Sequence, residues 1–136
     1  MFKQGIVTSI LSLLALTSNA LATTPATTMP PVFEGTYQCK GIDPYLNNKV
    51  YQGTVTVKPH NTVYELSMNY DTGESSVGTG GQYGPNLMSV VFKDIKHPDH
   101  IGLEQYSLTT DNKVIEGYWV YLGMAKLGKE VCQKTA

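Results

Sequence analysis

The chain has 136 residues, two cysteines and a formal charge of −1, and all ten of its cations are lysine. Arginine's planar fork is the usual reader of phosphates and guanine edges; it is absent and no lysine cluster replaces it, which argues against nucleic acid as a partner.

Residues 1–22 carry a single charge (Lys3), an apolar core from Ile10 to Leu16 and the small-x-small ending Ala20-Leu21-Ala22. This pattern reads as a secretory signal removed after Ala22. The apolar run is too short to span a bilayer and no cysteine follows it to take a lipid. The mature chain is therefore expected to be secreted or periplasmic, monomeric and free of membrane insertion, with enough length for one domain. Residues 23–32, rich in Thr and Pro, form an expected flexible leader, and 33–133 the folded domain.

Phe33 to Lys40 alternates apolar and polar residues with period two, the signature of a half-buried strand, and Gly41-Ile42-Asp43-Pro44 is expected to break it. Val50 to Lys58 repeats the alternation with Tyr51, Gly53, Val55 and Val57 inward, and Pro59-His60-Asn61 reads as a turn. Thr62 to Tyr70 sets Tyr64, Leu66, Met68 and Tyr70 on one face. Ser75 to Pro85 holds four glycines and reads as a short, bent strand, with Gly78 to Gly84 as a flexible rim or edge. Asn86 to Asp94 is the fifth strand, with Met88, Val90 and Phe92 inward. Ile101 to Thr109 is the sixth, Val114 to Leu122 the seventh and Lys129 to Gln133 the last. The seventh is apolar on both faces, Ile115, Trp119 and Tyr121 against Val114, Tyr118, Val120 and Leu122, so the rest of the domain is expected to cover both. Eight short strands joined by short turns predict an all-β, antiparallel meander closed into a small barrel, with a two-sheet sandwich as the alternative.

Cys39 and Cys132 lie at opposite ends of this domain in an exported chain, where a pair is usually bridged. Closing a loop of that length would stabilise the fold by about 4 kcal/mol in the chain-entropy model.

The common catalytic and cofactor motifs are missing, so the chain is expected to be non-enzymatic, with no cofactor and no metal. Asp94, His97, Asp99 and His100 concentrate imidazole and carboxylate, but their spacing fits no standard site; a solvent-exposed hairpin turn is expected. Glu104 and Glu116 matter only if buried. Nine tyrosines and one tryptophan suit a pocket that must hold and orient a ligand. The candidate ligand-binding residues are Tyr37, Tyr51, Tyr64, Met68, Tyr106, Trp119 and Tyr121, with Trp119 as the anchor, reached by residues such as Tyr37 or Tyr106.

The meander opening at Gly35-Thr36-Tyr37 and closing through Trp119 resembles the lipocalin, avidin and fatty-acid-binding barrel group, which implies a small apolar or aromatic ligand held in an aromatic-lined barrel. Tyr37-Gln38-Cys39, with Thr79-Gly80-Gly81-Gln82-Tyr83 in a mid-chain loop, is similar to periplasmic inhibitors of c-type lysozyme, which implies a secreted protein partner instead.

Overall fold

In a computed structural model, which describes Pro30 and residues 32–136, eight strands run in chain order: β1 (Gly35–Asp43), β2 (Lys49–His60), β3 (Val63–Tyr70), β4 (Ser75–Gln82), β5 (Leu87–Asp94), β6 (Ile101–Leu108), β7 (Val114–Tyr121) and β8 (Gly128–Lys134). Each pairs antiparallel with the next and β8 returns to β1, so the sheet is a closed barrel and the sandwich alternative is set aside. The signal-peptide reading, and most of the leader, lie outside the described residues; Val32, at the leader's end, packs against the core.

Period-two patterning fixes which side chains enter the barrel. Tyr37 and Cys39, Tyr51, Val55 and Val57, Tyr64, Leu66 and Met68, and Met88, Val90 and Phe92 are all buried, in the inward phase their strands predict. Several of the largest rings lie across inward glycines of the neighbouring strand. Tyr51 pairs with Gly41, Phe92 with Gly102, Tyr106 with Gly117 and Trp119 with Gly128. A methyl group on any of these glycines would collide with the ring facing it. The missing side chain makes room for the large one, so a narrow lumen is filled.

Cys39 stands directly opposite Cys132 in the β1–β8 register and the two are bonded, tying together the pair of strands that closes the barrel. That pairing is the one most distant in sequence, and its loop-closure entropy is what a covalent link offsets.

Four expectations are corrected. Gly41-Ile42-Asp43 does not break β1, which continues to Asp43 because Gly41 leaves room for the Tyr51 ring. Pro59 and His60 belong to β2, and the turn is left to Asn61, at φ 54°, with Thr62. Gly78 to Gln82 is neither rim nor loop: β4 is paired on both sides, with Gly80 buried beneath Met88 and Leu66. The second face of β7 is the barrel's exterior, where Tyr118 is 44% exposed beneath Lys129 and Leu122 is 81% exposed. A closed single sheet has nothing to lay over that face.

Candidate functional site

The two ends of the barrel differ. At one, Phe33 folds in and is fully buried; its carbonyl accepts a hydrogen bond from the Tyr37 hydroxyl (2.9 Å), and its ring meets Tyr64 edge-on at 6.0 Å. The Tyr64 hydroxyl donates to Gln82 (2.8 Å). Burial, and then the neighbouring Tyr64, push the Tyr37 hydroxyl up to about 12, so it stays a neutral donor.

The opposite end holds a cavity of about 30 Å³, room for a water or a small head group. Its walls are Tyr51, Met68, Tyr70, Ser76, Phe92, Trp119 and Tyr121, with the carboxyl groups of Asp43, Glu74 and Glu104. Trp119 is 8% exposed, and its indole N–H donates to the Tyr51 hydroxyl (2.9 Å). Tyr45 packs against the Trp119 ring and is tied to the β7–β8 loop, donating to the Lys126 carbonyl and accepting from the Lys126 N–H (2.7 Å).

Beneath the cavity lie two buried glutamates. Glu130 is a hub: its Oε1 accepts from Tyr106 (2.7 Å), and its Oε2 from Tyr51 (3.0 Å) and Tyr70 (3.3 Å). Burial raises its proton affinity, and these hydroxyls pull it back. Glu104, 2% exposed, has less support: Tyr106 alone pulls its proton affinity back, and its Oε1 has no hydrogen-bond partner. Burial first, and then the carboxyl of Glu130, push Glu104 well above the usual carboxylate range. Toward the rim the same logic holds more weakly: burial, with Asp43 and Asp94 nearby, raises Glu74, and burial with Glu74, Asp94, Asp43 and Glu104 pushes Tyr121 up to about 12.

Of the seven residues singled out from sequence, Tyr51, Met68, Trp119 and Tyr121 line this cavity. Tyr106 lies below it as a donor to Glu130, and Tyr37 and Tyr64 belong to the closed end. The rings around Trp119 are Tyr45, Tyr51 and Tyr121, not Tyr37 or Tyr106. Tyr70, Phe92 and Glu130 were missed as site residues, while Glu104 meets the condition of burial under which the sequence singled it out, and Glu116 does not. Glu130 had a signal, since it is two residues from Cys132 and must share that cysteine's inward phase.

The Asp94–His100 turn is not wholly exposed. Asp94 is buried, with its Oδ1 accepting from the His97 N–H (2.6 Å), while His97 and His100 stack outside at 5.1 Å. Among the described residues, the one convergence of three metal-type donors is Cys39, Glu130 and Cys132, and its sulfurs are bonded to each other.

No family model and no curated protein matches the chain. Solved structures do. A redesigned β-barrel has a TM-score of 0.67 at 14% identity, covering 77% of this chain and 93% of that one. A barrel described as bound to DFHBI has a TM-score of 0.60 at 11% identity, covering 76% and 94%. A de novo fluorescence-activating barrel has a TM-score of 0.57 at 14% identity, covering 76% and 94%. At such identities the likeness is one of fold: a small, antiparallel, eight-stranded barrel.

Proposed function

We propose that this protein is a non-enzymatic, lipocalin-like binding module, secreted or periplasmic, that takes a small apolar or aromatic ligand at the open end of its barrel. The observation that carries this reading is the asymmetry of the ends: one is sealed by Phe33, while the other keeps a cavity walled by Tyr51, Phe92, Trp119 and Tyr121. Elsewhere the interior is filled, so a ligand inserts a small group and rests its body on the rim. Barrels of this shape described as bound to DFHBI lend the fold-level support of analogy. Export is supported by the Cys39–Cys132 bond and predicts a mature chain beginning at Thr23, readable by intact mass.

Trp119 is the chain's only tryptophan, so its emission reports the site directly. Titration with neutral N-phenyl-1-naphthylamine should change that emission saturably, and Tyr121→Ala should weaken binding about tenfold or more, the loss of one aromatic contact. An unchanged emission at millimolar probe would sink the reading. It would favour a protein-binding module instead, for which exposed Leu122 (81%) and Leu127 (62%) beside the mouth are the specific observation.

A further inference from the structure

The cavity has a charge problem that its own walls do not solve. Three of its lining residues, Asp43, Glu74 and Glu104, are acids, and among the described lining residues there is no lysine, arginine or histidine. The lysines near the rim are turned to backbone: Lys96 donates to the Gly73 carbonyl (3.2 Å) and Lys126 to the Pro44 carbonyl (3.3 Å). Among the described residues, no ion pair reaches Asp43, Glu74, Glu104 or Glu130. Buried acceptors nearly always find a donor, and Glu104 Oε1 has none. A cationic donor would answer both this carboxyl and the acids around it.

Two features say which cation. No three carboxyl or imidazole donors converge at the cavity among the described residues, which disfavours a divalent metal. The remaining walls are the faces and edges of aromatic rings, which attract an organic cation and also accept its apolar body. We propose that the open end recognises a primary ammonium group carried on a small apolar or aromatic body, with the –NH3+ entering the cavity to meet the Glu104 carboxyl, beneath Asp43 and Glu74. The assignment deepens the ligand-binding reading above and rests on it. The size of the cavity, about 30 Å³, suits an ammonium head and excludes a bulky quaternary one. The positive charge also offsets the desolvation and the Glu130 repulsion that Glu104 bears when the site is empty.

The test compares 2-phenylethylammonium chloride with neutral 2-phenylethanol, near-equal in shape, by calorimetry and Trp119 emission on the full mature chain at pH 7. The amine should bind about tenfold or more tighter, the scale of a hydrogen bond to a charged group. In Glu104→Gln, which keeps the shape but has no proton to give up and so cannot become the anion that faces the ammonium, that preference should fall below about threefold. Glu74→Gln, at an exposed position where folding is not at risk, should lower the preference for the amine over the alcohol about two- to threefold. Equal binding of the two compounds overturns the ammonium assignment and leaves the ligand-binding reading intact. So does an amine preference that survives Glu104→Gln, or failure of the amine to bind where N-phenyl-1-naphthylamine does. If none of the three probes binds, both readings fall together.

Discussion

Both ends of this barrel are built on tyrosine, yet one is finished and the other is not. At the closed end Tyr37 and Tyr64 each find a neutral acceptor, the Phe33 carbonyl and Gln82, and the Phe33 side chain fills the lumen. At the open end Tyr51, Tyr70 and Tyr106 all converge on one carboxyl, Glu130, leaving Oε1 of Glu104 beside it without a partner. The closed end therefore contributes stability, whereas the open end holds polar groups whose full satisfaction needs something from outside.

The largest expected effect tests the first half of that contrast. Phe33→Ala opens a cavity at the sealed end and should lower stability by about 3–5 kcal/mol, read from urea midpoints at constant slope. Tyr121→Ala, at a half-exposed mouth position, should cost about 1–2 kcal/mol. Equal costs would show that the mouth is as much part of the packed core as the plug.

A second prediction sharpens the electrostatic half. A carboxyl whose proton affinity is raised by folding binds more protons in the native than in the unfolded state, so it destabilises the fold progressively as pH rises above the unfolded glutamate value of about 4.3. Its contribution is fully favourable below that pH and is lost as pH climbs toward the folded value. Glu104→Gln should thus match the parent near pH 4 and become the more stable protein with increasing pH, by at most about 1.4 kcal/mol per pH unit. A stability difference that is flat from pH 4 to 8 would mean that Glu104 is not held protonated by burial.

Much of this architecture was legible in the sequence because a barrel strand with one face inside and one outside writes its phase in alternation, and the strands keep that phase from β1 to β8. The acids were misjudged for a physical reason. Glutamate is rarely fully buried, so Glu130 reads as an outward residue unless the phase set by Cys132 is allowed to overrule it, and Glu104 likewise against Gly102 and Tyr106. The division of the tyrosines between the two ends was beyond reach of single-strand patterning. It depends on register around the closed ring, which brings Tyr51 of β2 and Tyr70 of β3 to Glu130 of β8. The covering expected over the outer face of β7 failed because apolar residues on both faces can mark a buried strand or merely a greasy exterior, and closure decides which.

The smallest effect is the most direct comparison of the two ends, because it removes one hydroxyl from each. Tyr37→Phe leaves the Phe33 carbonyl without its donor and should cost about 1 kcal/mol. Because burial pushes the Tyr37 hydroxyl up to about 12 and its acceptor is neutral, that cost should not vary between pH 5 and 9. Tyr106→Phe removes the shortest hydrogen bond to Glu130, a donor that holds that carboxyl's proton affinity down. With the donor gone Glu130 binds its proton more tightly in the fold, so the cost should be about 1 kcal/mol near pH 4 and grow as pH rises through and above the unfolded glutamate value. Paired urea titrations at pH 4, 6 and 8 decide the matter: one flat series and one climbing series are expected. Two flat series would show that Glu130 is protonated throughout, in which case its tyrosines neutralise no charge and the two ends differ in packing alone.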